Sequence, residues 1–342
     1  MLIQNLAIQN FKSIQNLHLT GFNRINLFIG RPNVGKSNII EALSLFSLFY
    51  LPFGKLHNIT SLMRLENGVE MFYNGNMLNN ISIETEVGLV RINSSQEINL
   101  QIGIEIEYLT KTAEKFSLHY QLDEHNNIKQ INNKLIIQKS NAAAAKTVVK
   151  KYSFTTEILP KSSNYVPFLL PPFGNNLLQT LEHLPNFKAE LVHIFSEYGL
   201  KLVFDKASQS LKIMKEQRDG SIFLLPYSSI ADTLQRIIFY KTAVASNQNS
   251  VLLFEEPEAH AFPPYIVEIT QEIIRSKTNQ FFITTHSPFI VNDFLENAID
   301  DLAIFMLDYK DGQTIAKALT KEQLHEVYEY GVDLFTNNEN YL

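Results

Sequence analysis

The sequence predicts an α/β fold on a mostly parallel core sheet, with an N-terminal antiparallel β lobe, a helical sub-lobe and no long coiled coil. Three observations lead there. From residue 229 onward, strand-like and helix-like segments alternate, the pattern of a parallel sheet covered by helices. Near the N-terminus an apolar strand runs into a glycine-bearing turn and then an amphipathic helix. Between about residues 83 and 160 the chain instead carries short segments of strand pattern.

Taken in order, Leu2–Ile8, Ile14–Leu19 and Ile25–Ile29 read as strands and Lys36–Phe49 as a helix. Ile83–Leu89, Ile98–Tyr108, Phe116–Leu122 and Lys134–Gln138 read as further strands, and Ala142–Ala145 as a small low-complexity loop. Pro167, Pro171, Pro172 and Gly174 mark a linker before a helical stretch, Asn175–Tyr198, that is interrupted at Pro185. Lys201–Asp205, Leu211–Lys215 and Ile222–Leu225 follow as a hairpin-like set. The alternating region comprises helices at 230–245, 263–276 and 288–296 and strands at 251–254, 280–284 and 302–307. A last hairpin and helix fill 310–342.

Composition narrows the class. The chain has 342 residues, 45% hydrophobic and 19% charged, which is ordinary for a folded domain. With no cysteine, disulfides and thiolate metal sites are excluded. A net charge of −6 gives no whole-protein footprint for nucleic acid. The N-terminus lacks the pattern of a signal peptide and no apolar run reaches membrane-spanning length, so a cytoplasmic protein without membrane contact is expected.

Gly30-Arg31-Pro32-Asn33-Val34-Gly35-Lys36-Ser37 matches the phosphate-binding loop G-x-x-x-x-G-K-[ST] in its required strand–loop–helix setting. Glycines let successive backbone N–H groups turn inward toward phosphate oxygens, and the helix N-terminus adds positive potential. Lys36 then reaches the β- and γ-phosphates, and the Ser37 hydroxyl ligates Mg²⁺. ATP and Mg²⁺ are the expected cofactors.

Val251–Phe254 is an apolar strand ending in Glu255 and Glu256. In a phosphate-loop enzyme the first carboxylate holds the Mg²⁺ shell and the second orients or deprotonates the attacking water. Thirty residues on, Phe281–Thr285 ends at His286, where an imidazole could hydrogen-bond the γ-phosphate. Glu256 and His286 are the catalytic candidates. His260, without such a setting, reads as structural.

These motifs, together with Asn10-Phe11-Lys12-Ser13-Ile14, Asn38 and Glu41-Ala42-Leu43 after the loop, Phe254-Glu255-Glu256-Pro257-Glu258 and Thr284-Thr285-His286-Ser287-Pro288, resemble the ABC-type ATPase heads of the RecF/SMC/OLD group, and most closely the AAA family ATPase branch of bacterial anti-phage defence. The resemblance covers residues 1–50 and 220–310. It implies a P-loop NTPase fold of ABC head type. It adds Lys12 and Asn38 to the nucleotide-binding residues 30–37, and implies a signature segment around Ser229, Asp232 and Arg236 that acts in trans on a second head. Ser229 or Asp232 would cap the helix that follows. The segment departs from the family in lacking the glycine after its serine, and Glu255 stands where an aspartate is usual. No Q-loop glutamine can be named. On this basis 1–342 is a single ATPase domain, with a β-rich insertion lobe at 55–165, a helical and hairpin sub-lobe at 166–228 and the signature, carboxylate and histidine core at 229–310.

Residues 111–161 hold nine lysines, at 111, 115, 129, 134, 139, 146, 150, 151 and 161, against four acids. A basic lobe of this kind could track a phosphate backbone, or simply present lysines on solvated strand edges. Two functions therefore stand side by side. One is a nucleotide-gated ATPase whose dimerisation, as a homodimer or higher assembly, controls an effector protein such as a nuclease. The other is a RecF-like clamp that binds DNA. A small-molecule kinase is disfavoured by the separation of Lys36 from Glu255. No acidic cluster after residue 290 suggests a nuclease within this chain.

Overall fold

The computed structural model describes residues 3–95, 101–109, 115–131, 147–157, 166–197, 199–205, 208, 210–261 and 263–342. The three N-terminal strands form near their expected bounds, as β1 (Asn5–Phe11), β2 (Ile14–Thr20) and β3 (Ile25–Gly30), but they divide between two sheets. β1 and β2 join β4 (Ile81–Thr85), β5 (Gly88–Ser95), β6 (Gln101–Leu109), β7 (Lys115–Leu122) and β8 (Ile128–Gln130). These seven make an antiparallel sheet in the order β2-β1-β4-β5-β6-β7-β8.

β3 is buried at every position. It lies in a six-stranded sheet with β9 (Val149–Tyr152), β13 (Val251–Glu255), β14 (Gln280–Thr284), β15 (Leu302–Lys310) and β16 (Gln313–Ala318), ordered β16-β15-β3-β14-β13-β9. All its pairings are parallel except β15 with β16. Continuous apolar runs such as Ile25–Ile29 arise because both faces of this sheet are covered. Successive side chains alternate: Val251 and Leu253 pack toward the antiparallel sheet and α1 (Lys36–Ser44), Leu252 and Phe254 toward the other face.

A smaller core lies under α2 (Leu177–Glu182), α3 (Pro185–Glu197) and the three-stranded sheet of β10 (Lys201–Asp205), β11 (Ser210–Glu216) and β12 (Ile222–Pro226). α4 (Asp232–Ala245) joins it to the main core through its fully buried Lys241, whose ammonium meets Glu190 of α3 and Glu268 of α5 (Pro263–Arg275). α6 (Pro288–Ala298) and α7 (Lys321–Tyr330) complete the helical layer. α7 opens on a capping box: Thr320 Oγ1 accepts from Gln323 N while the Gln323 side chain accepts from Thr320 N.

Several expectations need correction. The single strand expected at Ile83–Leu89 is two, β4 and β5, turning at Glu86 and Val87. Gly88 sits at φ +153° there, and an added Cβ would lie 2.1 Å from the Glu107 carbonyl oxygen. The helix expected to reach Phe49 is α-helical only to Ser44 and continues as a 3-10 segment, Leu45–Gly54, containing Pro52. The stretch Lys36–Gly54 does have the length and mean hydropathy of a membrane span, contrary to expectation, but its apolar window is 83% buried within the fold. That burial accounts for its composition. The strand expected at Lys134–Gln138 and the alanine run Ala142–Ala145 lie outside the described residues.

The largest correction concerns β9. The range 55–165 was expected to form one inserted lobe, yet Val149–Tyr152 is an edge strand of the parallel sheet, paired with β13. Its Lys150 and Lys151, counted among the basic surface, are 4% and 3% exposed. Lys150 Nζ donates to Asn247 Oδ1 at 2.6 Å and Ser250 Oγ at 2.9 Å, and lies 3.9 Å from the centroid of the Phe168 ring. Of the remaining lysines, 111, 134, 139, 146 and 161 lie outside the described residues.

Burial lowers the Lys150 ammonium from 10.5 to about 7. Between those values the unfolded chain carries a proton that the folded chain lacks, so this group makes stability rise with pH. Lys150→Met should flatten that rise between pH 7 and about 9, read as melting temperature in both proteins. Equal slopes would show that Lys150 is protonated in the folded state.

Candidate active site

The C-terminal ends of β3, β13 and β14 meet at one edge of the parallel sheet, where open α/β sheets place their ligands. β3 ends at Gly30, and a Cβ there would fall 2.4 Å from the Leu307 carbonyl oxygen of β15. Only glycine lets the two strands run this close. The loop then turns through Asn33 (φ 62°), plugs buried Val34 into the core, and passes Gly35 at φ +93° into α1. Lys36 Nζ donates to Gly30 O at 2.9 Å and Arg31 O at 2.7 Å, so the cation lies across its own loop. Burial lowers its pKa, and nearby Glu256 opposes that.

Other predicted nucleotide contacts have partners within the fold. Asn38 Nδ2 donates to Ser13 Oγ at 2.6 Å, and that hydroxyl is 2.6 Å from Thr314 Oγ1, fastening α1 to the β1–β2 turn and to β16. Lys12 forms an ion pair with buried Glu41 and donates to Arg64 O at 2.6 Å. Arg31 pairs with Glu339 at the surface. Pro32 stands exposed in the loop beside Arg31 and Asn33.

Glu255 is the most heavily engaged group. Its side chain is 12% exposed and takes Arg64 Nη2 at 2.8 Å on one oxygen and Lys151 Nζ at 3.3 Å on the other. Ser37 lies beside it and helps to stabilise its charged form. Burial works to raise its pKa, but Lys151, Ser37 and Arg64 together hold the carboxyl below the usual range. A serine hydroxyl beside a carboxylate offers hard oxygen donors of the kind suited to Mg²⁺. Among the described residues no cluster of three or more His, Cys, Asp or Glu could hold a metal.

Glu256, at φ 43°, donates its N–H to Thr284 O at 3.0 Å, which ties β13 to β14 just beyond the paired strands. Its carboxylate is 40% exposed and lies 3.6 Å from His286 Nε2. Burial lowers the His286 pKa, Lys36 adds to the effect and Glu256 opposes it, which favours a neutral imidazole. Glu258 sets the backbone there: one oxygen accepts from Thr285 Oγ1 at 2.6 Å and from His286 N at 2.9 Å. Burial raises the Glu258 pKa, and its other oxygen has no hydrogen-bond partner. Glu258 was legible only as the third acid of Glu255-Glu256-Pro257-Glu258. Arg64 and Lys151 carry no motif and were missed. The carbonyl of His260 accepts from Thr233 Oγ1 at 3.2 Å.

The expected signature segment is arranged differently from its reading. Ser229 ends a short 3-10 turn, Tyr227–Ser229, and the N-cap of α4 is Ala231, with no side-chain cap. Asp232 lies inside the first turn of α4, so neither Ser229 nor Asp232 caps the helix. Asp232 is instead 3.7 Å from Arg236 Nη2. Arg236 faces a cavity on its own chain, shared with Glu255, Glu256 and Lys151.

A glycine-bearing loop with Lys36 across it and two strand-end glutamates, one beside a histidine, define a P-loop ATPase domain. The chain belongs to the AAA_21 family, described as "AAA domain, putative AbiEii toxin, Type IV TA system", which matches residues 25–292. It is similar to an "ATP/GTP phosphatase" of Helicobacter pylori, 30% identical over 112 residues, covering 30% of this chain and 28% of that protein. A second match, 42% identical over 45 residues, is to the "Uncharacterized protein MJECL10" of Methanocaldococcus jannaschii, covering 13% of this chain and 20% of that one. The matches thus span less than a third of either relative. The fold is that of an SMC head. One such head, bound to the C-winged helix domain of ScpA, aligns with TM-score 0.51 at 13% identity over 95% of this chain and all of that one. Another, derived from Pyrococcus furiosus, with an extended coiled coil and bound to the C-terminal domain of ScpA, aligns with TM-score 0.52 at 11% identity over 96% of this chain and 98% of that one.

Two substitutions test the loop. Gly35→Ala would place a Cβ 2.1 Å from Thr314 Oγ1 at a left-handed φ, so a lower melting temperature and loss of ATP binding are expected. Lys36→Ala should weaken ATP binding about tenfold or more in a titration, because it removes the loop's cation. Unchanged affinity would assign the phosphates elsewhere.

Proposed function

We propose that this chain binds and hydrolyses Mg-ATP, and that the nucleotide state governs pairing of two copies and through it a partner effector in bacterial anti-phage defence. The observation that carries the reading is the convergence of Lys36, Ser37, Glu255, Glu256 and His286 at one sheet edge. Mg²⁺, when bound, neutralises charge on the β- and γ-phosphates. Lys36 leaves its loop carbonyls for those phosphates. Ser37 and Glu255 would hold the ion, and Lys151 and Arg64 keep Glu255 charged for that role. Glu256 accepts a proton from the attacking water, and His286 donates a hydrogen bond toward the γ-phosphate.

The phosphatase name of the Helicobacter pylori relative supports the hydrolytic part. The family's description as a toxin of a toxin–antitoxin system supports a setting in cellular conflict. The alternative, a DNA clamp, loses support because Lys150 and Lys151 are interior.

Glu256→Gln should keep ATP affinity and slow hydrolysis at least ~10²-fold, the scale of losing a general base. Light scattering of that variant should show a dimer in Mg-ATP and a monomer in Mg-ADP. A monomer in both would remove pairing from the reading, and near-normal turnover would move the proton acceptor away from Glu256.

A further inference from the structure

A cavity of about 310 Å³ lies behind the strand-end carboxylates, between residues 60–64, the chain following β9, and α4. Its lining includes Arg64, Lys151, Arg236, Glu255 and Glu256 but no residue of the phosphate loop. Glu255 is therefore a shared wall: Ser37 of the loop's helix lies beside it, and it pairs with Arg64 and Lys151 of the cavity.

We infer that this cavity receives orthophosphate, the anion that hydrolysis leaves behind; the inference rests on the ATPase reading above. Three cations line the space against two carboxylates. Lys151 is 3% exposed and shares the Glu255 carboxylate with Arg64, so the two cations together favour a second anion beside them. Arg236 is already incompletely satisfied. Its side chain is 11% exposed, its Nε is buried with no hydrogen-bond partner, and its Nη2 stands 3.7 Å from Asp232, beyond hydrogen-bond length. One face of the guanidinium is occupied by Phe154, with 4.7 Å to the ring centroid. The planar fork of an arginine suits an oxyanion with several acceptor oxygens. The volume is about ten times the share of one water in the liquid, so a small anion with its hydration fits.

The site would also order the cycle. While the anion occupies the cavity it holds Arg64 and Lys151, and their ion pairs with Glu255 re-form only after it leaves. Release of phosphate then precedes the re-forming of those ion pairs.

The test is a titration of orthophosphate into the full chain with saturating Mg-ADP, followed by ³¹P line broadening. ADP fills the α- and β-phosphate positions of the loop, and variants of residues lining the cavity, which include none of the loop, tell the cavity from the γ-phosphate position beside ADP. Binding is expected, and Arg236→Gln should weaken it about tenfold or more while ADP affinity stays. Thr60→Glu places a carboxylate at an exposed rim position and should weaken it similarly without disturbing the core. No binding in the presence of ADP, or binding equal in both variants and the parent, overturns the inference. Binding that vanishes when ADP is added would put the phosphate in the loop and overturn it too. Because no turnover is measured, a chain that binds orthophosphate in this way yet never hydrolyses ATP would sink the hydrolytic reading and leave this site standing.

Discussion

A carboxylate at the end of a buried strand needs positive charge beside it, and the site is organised around how Glu255 obtains it. With little water to solvate it, an uncompensated Glu255 would take up a proton and lose its use as a metal ligand. The fold supplies Lys151 from β9, Arg64 from the chain after the 3-10 segment, and the Ser37 hydroxyl from α1. Three segments far apart in the chain are thereby drawn to one point. The same cations hold the carboxylate in one defined arrangement.

The parallel sheet makes that meeting possible. Its registers align Glu255 with Thr284 and Thr284 with Phe28, so three strand ends finish together. Apolar packing on both faces holds them: Phe28, Phe282 and Phe305 stack on one side, and Phe254 meets Tyr152, Tyr240 and Phe281 on the other. β9 is the exception to the apolar pattern, with two lysines in a strand whose four residues are all buried. They point to opposite faces, and each has polar partners: Asn247 and Ser250 for one, Leu62 O and Glu255 for the other. Such partners are why the strand is tolerated there, and also why its lysines could pass for surface charge.

The phosphate loop, the two carboxylates and His286 were legible in the sequence because each is a local signal: a strand, a turn residue with a required conformation, and a polar side chain at a fixed offset. The alternating region from 229 was legible for the same reason, since periodicity reports burial of a single element. The roles given to Lys12, Asn38, Ser229, Asp232 and Arg236 rested on resemblance. In the fold Lys12 meets Glu41, Asn38 meets Ser13, and Arg236 faces a cavity of its own chain. Arg64 and Lys151 gave no signal, because what makes them part of the site is a neighbour 191 and 104 residues away.

By itself, the sequence determined the class of fold, the strand–loop–helix at Gly30–Ser37 and the acids at the end of the buried strand, because backbone conformation and strand periodicity are set by near neighbours in the chain. Only the tertiary structure decided that β9 closes the parallel sheet, that Lys150 and Lys151 are interior, and that Arg64 and Lys151 hold Glu255. Whether a charge is solvated or buried depends on which distant segment packs over it, and one-dimensional pattern does not carry that information.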